Sequence, residues 1–222
     1  MDLRIKKALN ACLLTYSELV TSDGTALLER LQEVFGQDVP YLVKVEHVDA
    51  AFDEHPRFEE LREIVFDLLL MNFFAADAAK LEADYLESEE WEAIEDQTID
   101  RGTEILNLLL YLRECADEGI EPQLSDYLKE FLLVDEDEFQ DEYRIYEPVI
   151  ANQLLVESDY SEISRVASSV SENQELAELF YPMMAFFREA DPTADDLAEF
   201  TRASGNPAFD SAVYNLLVSY NR

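Results

Sequence analysis

Apolar residues recur along this chain at intervals of three and four, the spacing that lines one face of an α-helix. Leu3, Ile5, Leu9, Cys12, Leu13, Tyr16, Leu19 and Val20 form one such series. Thr25 is positioned to cap a helix that Gly36 closes, and Asp38 before Pro40 opens the next. Residues 41–48, YLVKVEHV, are rich in β-branched side chains. Leu42, Val45, Asp49 and Phe52 nevertheless keep helical spacing, and no second strand is available to pair with, so helix is the better reading.

The pattern is strongest from Arg57 to Ala76. Phe58, Leu61, Ile64, Val65, Leu68, Leu69, Asn72 and Phe73 fall on one face, and Phe66, Leu70, Met71 and Phe74 widen it, which predicts the most buried helix of the fold. Ser88 caps a long predicted segment carrying Trp91, Ile94, Ile105, Leu108 and Leu112 that ends at Gly119. Ser125 and Asp135 start two more helices, the second broken or bent by Pro148. Four short helices follow: Asp159 and Ser171 cap the first two, Pro182 marks a bend, Thr193 caps the third, and Gly205 with Pro207 opens the last. With no low-complexity linker, the expectation is an all-α chain, residues 1–222 forming a single compact domain of about nine or ten helices. A degenerate α-solenoid is the alternative: Asp84-Tyr85-Leu86 returns as Asp126-Tyr127-Leu128, though a second partial match has a different offset and the register is not held.

Composition sharpens this picture. The 5 glycines and 7 prolines are too few for an all-β fold, and Cys12 and Cys115, each among apolar helical positions, read as buried thiols. The amino-terminal segment has a basic start, but Asn10, Thr15, Ser17 and Glu18 interrupt its apolar run, so an amphipathic helix is expected rather than a signal peptide. Ile64 to Ala76 contains Asp67 and Asn72 and is too short to span a bilayer. The expectation is a soluble, cytoplasmic protein.

Charge decides which partners are plausible. Against 16 Lys and Arg stand 50 Asp and Glu, a formal net charge of -34, on a chain that is 48% hydrophobic and so able to bury a full core. Such a field disfavours direct contact with nucleic acid, anionic membranes and phosphate-rich substrates, and attracts basic proteins or peptide segments. Solubility or adaptation to high salt is the competing explanation of the same charge. It is concentrated in the middle: residues 82–142 hold 22 acidic and 3 basic residues, with Trp91, the single tryptophan, among them. Carboxylates interleaved with aromatics can clasp Lys or Arg by ion pairing and cation-π contact. Trp91, Asp135, Glu136, Asp137, Glu138, Asp141, Glu142 and Tyr143 are the candidate binding residues, although helical spacing also suits most of these aromatics to a core.

No intact catalytic constellation accompanies them. Random placement of this many acids gives about 11 pairs at i, i+4, so Asp49 with Asp53 or Asp96 with Asp100 identify nothing by spacing alone. The run from Asp135 to Glu142 lacks the glycine and the fifth-position ligand of a calcium loop. His47 and His55 form no metal-binding spacing, and His55 before Pro56 suits a helix boundary. Glu59-Glu60-Leu61-Arg62-Glu63 resembles the first half of the EExxE pattern of all-α, magnesium-dependent nucleotide pyrophosphohydrolases. That resemblance implies carboxylates of two helices holding the metal against phosphates, but Glu82-Ala83-Asp84-Tyr85 misses the second half by one position. The chain therefore reads as a non-enzymatic acidic binding module needing no cofactor. A pyrophosphohydrolase and a nucleic-acid mimic are the alternatives.

Overall fold

The computed structural model describes residues 1–76, 85, 87–131, 136–171 and 173–222, and at 130, 131 and 136–143 it describes the backbone alone. The described residues form twelve α-helices and two 3-10 segments, with no strand. In chain order the helices are α1 (Leu3–Leu19), α2 (Thr25–Gly36), α3 (Tyr41–Asp53), α4 (Arg62–Ala76), α5 (Glu89–Thr98) and α6 (Ile105–Glu118). They continue with α7 (Leu124–Phe131), α8 (Glu136–Ala151), α9 (Tyr160–Ala167), α10 (Phe180–Arg188), α11 (Ala194–Ala203) and α12 (Pro207–Asn221). The 3-10 segments are Pro56–Leu61 and Gln153–Glu157.

α1 begins where the Asp2 carboxylate accepts the amides of Arg4 and Ile5, and buries Ile5, Ala8, Leu9, Cys12, Leu13 and Tyr16. The face predicted from their spacing packs chiefly on α12, with smaller contacts to α2 and α4. First helix against last is a closed arrangement, whereas in a solenoid each repeat meets only its neighbours. α4 lies against α1, α3 and α6, and α12 against α1, α6, α10 and α11, so these two helices form the axis of the core. As its all-round apolar pattern predicts, α4 buries residues on every side, but α12 is buried as thoroughly. Phe58, Leu61, Val65 and Leu69 are fully buried as expected, while Phe73 is only half-buried. The two polar residues of α4 are both partnered: Asn72 Oδ1 accepts the Asp2 amide at 3.0 Å, and Asp67 is bonded to Thr103.

Residues 41–48 are helical, and both cysteines are buried. Burial alone pushes the Cys12 thiol up to about 12. Ser88, Asp159 and Thr193 cap helices as predicted, Thr193 through a reciprocal capping box with Asp196. Gly119 ends α6 in the left-handed region, at φ 71°.

Elsewhere local signals mislead. Thr25 is the first residue of α2 rather than its cap, its amide bonded to Asp23. The long segment predicted after Ser88 is two helices, parted at Gly102, which raises the helix number above the nine or ten expected. Ser125 lies inside α7, which starts at Leu124. Pro148 sits within α8, which continues to Ala151, and Asn152 Nδ2 bonds back to the Pro148 carbonyl at 2.7 Å. Ser171 opens turns rather than a helix, and Pro182 falls in the first turn of α10, where its missing N–H has no intrahelical acceptor to lose. The expected cap at Asp135, like the first half of the Asp-Tyr-Leu repeat at Asp84, lies outside the described residues.

No helix among the described residues is long and apolar enough to cross a membrane.

Candidate functional site

The acidic middle of the chain resolves into an outer and an inner set of groups. On α5, Glu89, Glu90 and Glu92 occupy the first turn, where carboxylates favour the helix dipole, and Glu95 and Asp96 follow. With Glu87 and Asp100 they make seven exposed carboxylates over fourteen residues containing no Lys or Arg. Ile94 is the one fully buried side chain of this helix. Trp91 is half-buried, its ring 5.5 Å from Phe74 and 6.2 Å from Tyr85 between centroids, so it edges the core beneath the carboxylates. Glu136, Asp137, Glu138, Asp141, Glu142 and Tyr143 belong to α8, their side chains lying outside the description, as does Asp135 entirely.

Other aromatics of this region serve the interior. Tyr111, Tyr127 and Tyr146 are buried. Tyr127 and Tyr146 hydroxyls lie 2.9 Å apart, and Tyr146 donates to Glu104 at 2.7 Å. The three basic residues are paired close by. Lys129 bonds Asp126 at 2.5 Å, Arg113 lies 4.0 Å from Asp117, and Arg101 turns inward.

Arg101 belongs to a latch that composition alone does not disclose. Its guanidinium grips Asp49 of α3 through two bonds of 2.9 and 3.0 Å, and its Nε donates to Glu63 of α4 at 3.0 Å. The same group lies 4.9 Å from the Phe66 ring centroid. The next two residues complete the latch: Gly102 N donates to Glu63 at 2.8 Å, and Thr103 donates to Asp67 through its amide at 2.9 Å and its hydroxyl at 2.6 Å. Burial pushes the Asp67 carboxyl well above the usual carboxylate range, opposed by the Thr103 bonds. Arg62 extends the network to Asp49, Asp53 and Glu59.

This network accounts for the residues of the EExxE run. Glu59 pairs with Arg62, Glu63 with Arg101 and Gly102, and Glu60 accepts the Tyr16 hydroxyl at 2.8 Å. The three carboxylates thus serve three different partners. No group of three or more His, Cys, Asp or Glu that could hold a metal comes together among the described residues. His47 Nδ1 is 2.8 Å from Gln37 Oε1, and His55 Nδ1 is 2.8 Å from the Ala51 carbonyl at the end of α3, the boundary role its place before Pro56 suggests.

A cavity of about 320 Å³ opens where the first 3-10 segment meets α9, α10 and the start of α12. Glu60, Glu178 and Asp210 line it, with apolar wall from Ala167, Ala177 and Phe209. Asp210 is 6% exposed, and its Oδ2 accepts from Ser204 Oγ at 2.5 Å and the Asn206 amide at 3.4 Å. Burial, with help from the Glu60 charge, pushes its carboxyl up to about 6 against those two bonds. No motif marks Asp210 in the sequence; its only local signal is a lone carboxylate within the apolar face of the last helix.

No family model, curated protein or solved structure matches the chain.

Proposed function

We propose that this protein is a non-catalytic binding module that engages a basic protein or peptide segment through the carboxylates of its acidic middle. One observation carries the reading: α5 and its flanks expose seven carboxylates with no cation among them, while Arg101, the basic residue next in sequence, points into the fold. Such a surface steers basic partners by long-range attraction, giving fast, salt-sensitive association. The acidic first half of α8, with Glu136, Asp137, Glu138, Asp141, Glu142 and Tyr143, is the second element assigned to this role. Trp91 supports the acidic helix from below rather than standing free of the core.

The test is capture of partners from a native lysate by the protein and by a variant carrying Glu92→Lys, Glu95→Lys and Asp96→Lys, with a second variant reversing Asp135 to Glu138. Glu95 and Asp96 lie beyond the dipole-favoured first turn of α5, and reversing Glu92 leaves Glu89 and Glu90 in it. The variants are expected to keep their helical circular dichroism and lose the basic proteins retained by the parent. An unchanged set of bound proteins from two folded variants overturns the reading. Displacement of the captured partner by DNA turns it toward nucleic-acid mimicry. Nucleotide hydrolysis that disappears in Glu60→Gln decides for the pyrophosphohydrolase.

A further inference from the structure

We propose that the cavity bounded by α9, α10 and the start of α12 binds a primary alkylammonium group, with Asp210 as its charge partner and Glu60 as a second carboxylate. The site lies apart from α5 and does not depend on the function proposed above.

The balance of donors and acceptors points to this ligand. The Tyr181 hydroxyl donates to the Phe200 carbonyl at 2.9 Å, and Ser168 Oγ to the Arg165 carbonyl at 2.8 Å. Asn206 directs its amide to Asp210 and its Nδ2 to Glu60, at 3.4 Å each. The Tyr181 and Ser168 hydroxyls have thus committed their single hydrogens to backbone carbonyls, which leaves each oxygen able only to accept. The buried Asp210 keeps one oxygen, Oδ1, that receives no hydrogen bond among the described residues. An ammonium group is all donor and no acceptor, and bonds from it to a carboxylate are charge-assisted.

Charge and size agree. Of the lining residues, three are acidic and none is Lys, Arg or His. At about 320 Å³ the cavity stands at the small end of ligand pockets, which run from roughly 300 to 1,000 Å³. A head group with a stem of a few methylenes fits that space. Ala167, Ala177 and Phe209 supply apolar surface for the stem. A free amine and a lysine side chain of a bound polypeptide share this chemistry.

The groups facing Asp210 are Glu60 from the 3-10 segment, Glu178 from the turns before α10, and Tyr181. All are acidic or neutral, so the site binds a cation best once Asp210 has ionised. With that carboxyl at about 6, affinity should be about tenfold weaker at pH 5 than at pH 7.

The experiment is isothermal titration with n-pentylammonium chloride and, as a neutral isostere, n-pentanol, in about 0.15 M NaCl to screen diffuse attraction to the surface. Saturable one-site binding of the amine is expected, at least about tenfold tighter than the alcohol. Asp210→Asn should weaken the amine at least about tenfold, and Ala167→Leu, which fills the cavity while keeping its charges, should abolish binding. If circular dichroism shows Asp210→Asn unfolded, Ala167→Leu decides. Equal binding of amine and alcohol, or amine binding that survives in a folded Ala167→Leu variant, overturns the proposal. Acetyl-Gly-Lys-Gly-amide, set against its norleucine analogue, separates the two sources. Capture of the lysine peptide assigns the cavity to a polypeptide side chain, capture of the free amine alone assigns it to a small molecule, and capture of neither overturns the proposal. Reversal of the α5 carboxylates should leave amine binding unchanged, so this test and the lysate test fail independently.

Discussion

Gly102 shows how one residue can control a junction between helices. Its φ of 87° lies in the left-handed region, and a Cβ added there would stand 2.5 Å from Asp67 Oδ1 and 3.3 Å from the Phe66 ring. Neither neighbour yields easily, because Asp67 is held by Thr103 and the Phe66 ring lies under the Arg101 guanidinium. Backbone strain and crowding therefore act together. Gly102→Ala should cost about 2–4 kcal/mol in urea-induced unfolding. A loss below about 0.5 kcal/mol would mean that the latch is not needed for stability.

Among the helices, α4 owes little to one-sided amphipathicity. Apolar side chains cover its circumference because α1, α3 and α6 lie around it. Leu69, near its middle, is 1% exposed. Leu69→Ala should destabilise the chain by about 2–5 kcal/mol, the lost transfer energy plus the cavity left behind. Thermal or denaturant unfolding measures this directly, and a neutral result would refute the central place of α4. The buried polar groups of this helix fit the same account, since Asp67 and Asn72 are bonded to distant backbone amides and so fasten the Thr103 loop and the amino terminus to the core.

Over the whole molecule, 50 acidic residues on one fold repel one another, and the basic residues of the middle region are committed to local pairs. Salt screens this repulsion over a Debye length of about 10 Å at 0.1 M. The melting temperature should therefore rise from low to moderate NaCl at neutral pH. A flat response would show that the repulsion is already balanced by local pairing, and would remove the electrostatic basis of the proposed binding role. A rise in KCl equal to that in NaCl would show screening rather than binding of a particular cation.

Periodicity determined the helical class, the internal positions of Phe58, Leu61, Val65 and Leu69, and the caps at Ser88, Asp159 and Thr193, because spacing and capping are encoded within a few residues of one another. Net charge determined the sign of the molecule's overall field. Local signals failed where a distant contact outweighed them. Gly102 divides a run that looks continuous because Asp49, Glu63 and Asp67, far away in sequence, receive Arg101, Gly102 and Thr103. The apparent metal-binding run at Glu59 to Glu63 is distributed among Arg62, Tyr16 and Arg101 for the same reason. The cavity at Asp210 was invisible in the sequence: its carboxylates, Glu60 and Asp210, are 150 positions apart and meet only after α12 packs into the core. Packing of elements remote in the chain also strips water from Asp210 and so raises its carboxyl, on whose ionisation the proposed amine binding depends.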